Sequence, residues 1–141
     1  MVFGEGAKER VVLEPDERKV ARGRAAQTPV EFVSGVAEAV PFEDGRFDRV
    51  VSLMSFHHFS DGDAALREAA RVLAPGGRLV VCDLDPASSA GHRLRFFERR
   101  VMGHRISFET PAGLESRLRS AGFVRFRHDA VGPRAIVVAE R

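Results

Sequence analysis

Residues 41–83 read PFEDGRFDRVVSLMSFHHFSDGDAALREAARVLAPGGRLVVCD. Within them, residues 47–54 (FDRVVSLM) are entered through the Asp44-Gly45 turn and form an apolar run of strand length. Ser60 and Asp63 have the S-x-x-D spacing of a capping box, and Leu66, Ala69, Ala70 and Leu73 then recur on one helical face. Asp63 and Arg67 stand at i, i+4 with the acid first, the favourable order for a surface pair. Pro75-Gly76-Gly77 ends the helix, and residues 78–83 (RLVVCD) form the next strand. Strand, capped helix and strand make a parallel βαβ unit. Ligands of open parallel sheets bind beyond the carboxyl ends of the strands, so His57 and His58, where the first strand gives out, mark a candidate site.

The chain upstream repeats the pattern. Residues 10–14 (RVVLE) are a short strand closed by an acid, and Pro15, in an N1-type position, opens a charged helical segment at 16–26. Residues 30–33 (VEFV) are a strand ending at Ser34-Gly35. These strands lack clean alternation, the pattern of strands buried on both faces. Downstream of Asp85-Pro86, Leu94, Phe97 and Val101 make a narrow apolar stripe amid His92, Arg93, Arg95, Arg99 and Arg100. This is a basic amphipathic helix, readable as one packed and one solvated face, as a contact for RNA or an acidic surface, or as a contact for an anionic substrate. Thr110-Pro111 caps a further helix with Leu114, Leu118 and Ala121 on one face, and Gly122 is placed to end it. Residues 123–128 and 135–139 are close enough in sequence for an antiparallel hairpin. The order is β-α-β-β-α-β-α-α-β-β, an α/β chain.

The 141 residues are sized for a single domain, and 44% hydrophobic with 30% charged residues suits a packed globular core. The net charge is only +2, with Lys8 and Lys19 the only lysines among 22 basic residues. So mild an excess argues against nucleic acid as a partner. The single cysteine, Cys82, sits in an apolar strand and reads as a small buried hydrophobe; with no internal disulfide available, a reducing compartment and a cytoplasmic location are expected. No apolar run approaches the roughly 18–20 residues needed to span a bilayer, so no membrane partner is expected.

Taken in order, GVAEAVPFEDGRFDRVVS (35–52), FHHF (56–59) and LREAARVLAPGGRLVV (66–81) resemble the class I S-adenosylmethionine-dependent methyltransferases. The likeness is to the small-molecule branch that includes the ubiquinone and menaquinone C-methyltransferases. It implies a Rossmann-like sheet, mostly parallel, with a C-terminal antiparallel hairpin. It also implies S-adenosyl-L-methionine as cofactor and methyl transfer to a small-molecule acceptor. Glu14, followed by Pro15, matches the acid that binds the cofactor's ribose hydroxyls, although an acid beside a helix N-terminus is also favoured by the dipole alone. Gly35-Val36-Ala37-Glu38 matches a GDAE-like adenine segment, with Val36 at the acid's position, a lost hydrogen bond of about 1 kcal/mol. Met54, Ser55 and His58 fall where the family meets the methionine portion. His57 or His58 is the candidate base, or else both bond loop backbone; adjacent residues on an extended segment point apart, so no metal is expected.

The family opens with a helix and a first strand ending in a glycine-rich E/D-x-G-x-G-x-G loop. Only nine residues precede RVVLE here, and Phe3-Gly4-Glu5-Gly6-Ala7 follows no strand. The expectation is therefore a single methyltransferase-like domain over residues 1–141, truncated at its N-terminus and lacking the first strand and glycine loop, with 86–109 as a substrate-side insertion. Loss of a central strand leaves some ten backbone groups unpaired at about 1 kcal/mol or more each. The flanking strands could close together, another chain could donate a strand in a homo-oligomer, or the sequence could belong to a longer protein. The same feature motivates an alternative function, a non-catalytic methyltransferase-like binding or regulatory subunit.

Overall fold

The structure is a computed structural model that describes residues 9–97 and 108–141. Its elements are β1 (Val11–Glu14), α1 (Glu17–Ala25), β2 (Glu31–Ser34), β3 (Phe47–Leu53), a 3-10 turn (Phe56–His58), α2 (Gly62–Val72), β4 (Leu73–Leu84), α3 (Ser89–Phe97), α4 (Pro111–Ser120), β5 (Val124–Val131) and β6 (Arg134–Glu140). Apart from the 3-10 turn, this is the order read from the sequence. The Phe3–Ala7 segment and Arg99, Arg100 and Val101 of the basic stripe lie outside the described residues, as do the side chains of Leu94, Arg95 and Phe97.

The strands form two sheets. β1 and β2 pair in parallel, with Val11 opposite Glu31 and Glu14 opposite Ser34. The second sheet runs β3-β4-β6-β5, with β3 parallel to β4 and β6 antiparallel to both β4 and β5. Among the described residues no strand lies between β1 and β3, and these two do not pair with each other. The flanking strands have therefore not closed together.

That split corrects the expectation of strands buried on both faces. No residue of β1, β2 or β3 is fully buried, whereas β4 alternates buried and less buried positions. A strand with a ladder partner on one side only leaves half its surroundings open. The core lies instead on one face of β4 and β6, where Leu79, Val81, Val137 and Ala139 meet Leu66, Ala69 and Leu73 from the α2 side and Leu114, Leu118 and Phe123 from the α4 side. Full burial of each large apolar side chain contributes about 1.5–3 kcal/mol, so this half of the molecule carries most of the stability.

Several local expectations change in detail. Asp16 is the N-cap of α1, accepting from the Arg18 amide at 2.9 Å, so Pro15 precedes the cap. Asp61, not Ser60, caps α2, accepting from the amides of Asp63 at 3.0 Å and Ala64 at 2.9 Å. Asp63 pairs with Arg117 of α4 at 2.7 Å, a tertiary partner in place of Arg67. Pro75-Gly76-Gly77 follows the end of α2 at Val72 and lies in the irregular start of β4. There the register with β3 jumps from Phe47–Leu73 to Arg49–Arg78, and Gly76 takes φ +76°. Thr110 caps α4 through the Gly113 amide at 3.1 Å with Pro111 at the first helical position. The β5–β6 turn is only Gly132-Pro133, Gly132 supplying φ +59°.

Candidate functional site

Backbone direction brings the expected site residues to one end. β1 finishes at Glu14, β2 leads into Gly35-Val36-Ala37-Glu38, β3 leads into Met54-Ser55 and the 3-10 turn, and β4 finishes just past Asp83. Glu38 proves that the ends of β2 and β3 share a side: its Oε1 accepts from the Ser60 amide at 2.8 Å, the Ser60 hydroxyl at 2.9 Å and the Asp61 amide at 3.3 Å. These bonds outweigh burial, which acts first and in the opposite direction, so the Glu38 carboxyl is held below its ordinary range. A residue matched to the adenine segment thus latches the loop after β2 to the start of α2.

The rest of that loop is held from α2. Arg71 donates to the carbonyls of Phe42 at 2.8 Å and Val40 at 2.9 Å, and to Glu68 at 2.8 Å and Asp44 at 2.7 Å. Glu68 in turn accepts from the Val40 amide at 2.8 Å. The hydrogen bonds that Arg71 donates to Glu68 and then to Asp44 push its guanidinium further up, and the same Arg71 bond depresses Glu68. The Glu and Arg of LREAARV are therefore clamps on the PFED loop.

At the end of β3 the Met54 amide donates to the Cys82 carbonyl at 2.8 Å, a last rung, and Met54 then turns into a left-handed conformation at φ +50°. For a side chain of this kind that conformation costs roughly 1–2 kcal/mol. It redirects the chain, and the hydroxyls of Ser52 and Ser55 meet at 3.0 Å across the turn. The burial of half-buried Cys82 pushes its thiol up, so it is a poor nucleophile.

The two histidines separate in role. His57 is buried, its side chain 5% exposed, while His58 is exposed. His57 Nδ1 lies 2.6 Å and 2.8 Å from the two carboxylate oxygens of Asp83, and the His57 amide donates to Asp83 Oδ2 at 3.1 Å. The Leu84 amide donates to the other oxygen, Oδ1, at 2.8 Å. The His57 and His58 rings do not point apart: the 3-10 turn tightens the backbone and brings their centroids to 4.0 Å, tilted 46°. The ring of Phe108 packs on His57 at 4.7 Å. Among the described residues no three His, Cys, Asp or Glu side chains converge as metal ligands.

Two residues of the site, Asp83 and Phe108, carry no motif of their own. The signal for Asp83 was available, an acid ending a strand whose parallel neighbour ends at two histidines, but it needs the β3–β4 pairing to be read. Phe108 lies 50 residues beyond His58 and has no such local signal. Of the others, Glu14 accepts from the Asp16 amide at 3.1 Å and Lys19 at 3.4 Å, so it serves the start of α1 as well as ending β1. Pro15 is exposed, Ala37 half-buried, and Val36 is 45% exposed, a large apolar side chain left open to solvent.

A Rossmann-like α/β sheet with its polar groups at the strands' carboxyl ends is the architecture of the S-adenosylmethionine-dependent methyltransferases. The family described as methyltransferase domain matches residues 6–81, and the chain belongs to that family. It is 36% identical over 145 aligned positions to a demethylmenaquinone methyltransferase of Thermus thermophilus, covering 88% of this chain and 65% of that protein. It is 40% identical to a malonyl-[acyl-carrier protein] O-methyltransferase of Methylococcus capsulatus, covering 70% of this chain and 36% of that one. The chain thus spans less than two thirds of the length of either. Among solved structures it superposes with TM-score 0.81 and 25% identity on a SAM-dependent methyltransferase from Thermotoga maritima, described as a possible histamine N-methyltransferase, over 93% of this chain and 72% of that one. A SAM-dependent methyltransferase from Mesorhizobium loti has the same fold, with TM-score 0.79 and 19% identity over 96% of this chain and 82% of that one. Family and fold support S-adenosyl-L-methionine as the cofactor. No helix among the described residues is long and apolar enough to cross a membrane.

Proposed function

We propose that this chain carries out S-adenosylmethionine-dependent methyl transfer to a small-molecule acceptor, with no nucleic acid or membrane involved. The observation that carries the reading is the gathering of Glu14, Val36, Met54 and the His57–Asp83 pair at the carboxyl ends of β1 to β4. The residues fit a nucleoside sulfonium. A carboxylate at Glu14 accepts from both hydroxyls of a cis-diol, and exposed Val36 offers an apolar cover for an adenine edge, with Ala37 and the Gly35 backbone beside it. The backbone turn at Met54-Ser55, with His58 exposed next to it, borders the methionine portion. When bound, the cofactor supplies a methyl group already activated by positive sulfur. The chain's own task is to align the acceptor and exclude water, with segment 86–109 contributing to the acceptor side through Phe108 over His57.

Calorimetry with S-adenosylmethionine and its demethylated product tests this reading. Binding is expected, with Glu14→Gln weakening it by about 10-fold or more, the worth of a charge-assisted hydrogen bond of roughly 1.5–3 kcal/mol. No heat at millimolar ligand would rule the chain out as an independent cofactor binder.

A second reading is favoured by the split between β1 and β3: a non-catalytic binding or regulatory subunit, or a homo-oligomer, in which another chain pairs with those strand edges. Light scattering on a size-exclusion column separates the two, since a monomer that binds cofactor leaves nothing for strand donation to explain.

A further inference from the structure

We propose that the nucleoside end of the site holds its purine by apolar contact and leaves the 6-position of the base to solvent, so that purine nucleosides altered at that position bind as well as adenosine. Val36 is the residue that sets this specificity. The proposal rests on the methyl-transfer reading above and extends it to what the site demands of its cofactor.

The placement follows from the ribose. A ribose whose diol rests on Glu14 sends its 1′ and 5′ carbons out on opposite sides. With the sulfonium directed at the Met54 turn and the histidines, the base leaves over the strand on the other side of β1, which is β2. Neighbouring strands lie about 4.8 Å apart, one step from ribose to base. Gly35 still belongs to that pair, its amide donating to the Glu14 carbonyl at 3.3 Å, and the chain then turns at once, the Ala39 amide donating to the Val36 carbonyl at 3.2 Å. The first large side chain past the end of β2 is therefore Val36, and it stands 45% exposed.

The chemistry of that position is set by what it lacks. An adenine amino group is a donor, and a site reads it with an acceptor. In residues 35–39, GVAEA, the one side-chain acceptor is Glu38. Its Oε1 already takes the Ser60 amide, the Ser60 hydroxyl and the Asp61 amide. The Asp61 carboxylate beside it is taken by the amides of Asp63 and Ala64. Turning Glu38 toward a base would release the loop from the start of α2. What remains is an isopropyl group open to water, which covers ring carbon and offers nothing to a donor. A site that bonds a substrate N–H rejects the analogue lacking it, because its own buried group is left unpaired. Val36 has no such group to leave unpaired, and its exposure leaves room for a larger substituent.

Titration calorimetry on the full 141-residue chain tests this. The probes are S-adenosylhomocysteine, its 6-deamino analogue, in which hydrogen replaces the amino group, and its N6-methyl analogue. The three Kd values are expected to agree within ~3-fold, less than one net hydrogen bond supplies. Val36 takes no part in the core, so Val36→Asp can add an acceptor without removing packing. That variant is expected to bind S-adenosylhomocysteine about 5-fold more tightly than the 6-deamino analogue. A Kd weaker by ~10-fold for either analogue in the parent protein overturns the proposal, because the amino group or the space around it is then being read. Equal binding of the two by Val36→Asp overturns the place given to Val36. No heat with S-adenosylhomocysteine overturns the methyl-transfer reading and this proposal with it, whereas heat with S-adenosylhomocysteine and weak binding of an analogue overturns this proposal alone. If Val36→Asp does not fold, Val36→Asn carries the same comparison through its amide oxygen.

Discussion

Single side chains in this protein do work that their sequence neighbourhood conceals. Glu68 looks like a solvated helix acid, yet it accepts from the Val40 amide and from Arg71 and so holds the loop before β3. The Arg71 hydrogen bond, opposed by burial and reinforced by the Val40 amide, lowers its carboxyl below the ordinary 4.5. A depressed folded value means stability that is present above that ordinary value and is lost as pH falls through the folded one. Glu68→Gln is therefore expected to lower the denaturation midpoint at pH 7 and to flatten its decline below about pH 4.5, both read from urea melts across pH. An unchanged pH profile would mean that the clamp contributes nothing. In the core, Leu118 is fully buried between α4 and the sheet, and Leu118→Ala should cost about 2–5 kcal/mol in unfolding free energy, since the surrounding rigid elements cannot collapse onto the cavity.

The elements owe their ends to short-range chemistry and their placement to long-range bonds. Thr110, Pro111 and Gly122 bound α4 as the spacing predicts, with Gly122 at φ +93° past the C-cap. Thr110→Ala should cost about 1 kcal/mol by removing the acceptor for the Gly113 amide, a loss measurable by chemical denaturation. α4 is then pinned to α2 by Arg117, which bonds Asp63 at 2.7 Å and Glu109 at 2.8 Å and lies over the Phe56 ring. The same Asp63 was expected to serve Arg67 one turn away. A bond between helices won because Arg117 gains two carboxylate partners at once, whereas an exposed pair within a helix is worth only about 0.3–0.5 kcal/mol.

At the scale of the molecule the decisive feature is the uneven division of the sheet. β4 has partners on both sides and supplies Leu79 and Val81 to the core, while β1 and β2 form a two-stranded parallel pair with no fully buried residue. Pairs of strands are marginal alone, and local opening follows low burial. Amide hydrogen exchange should accordingly be fastest in β1 and β2 and slowest in β4 and β6, and equal protection throughout would contradict the split. Much of this was legible beforehand. The element order, the α2 and α4 core faces and the strand-end location of the histidines all follow from spacing and capping. Phe108 is not legible, because it meets His57 across the fold and not along a segment, and the bond of Asp83 to His57 is legible only through the β3–β4 pairing.

The sequence by itself determined which stretches become strands and helices and where they stop, since hydrophobic period, caps and turn residues act over a few neighbours. It also determined the family, through an ordered set of segments whose Glu38, Glu68 and Arg71 prove to be loop clamps. Only the tertiary structure decided which of two adjacent histidines is buried, what holds it, and that β1 and β3 stay apart. Those outcomes depend on pairing between strands and on a ring arriving from the far side of the sequence, and no local pattern encodes either.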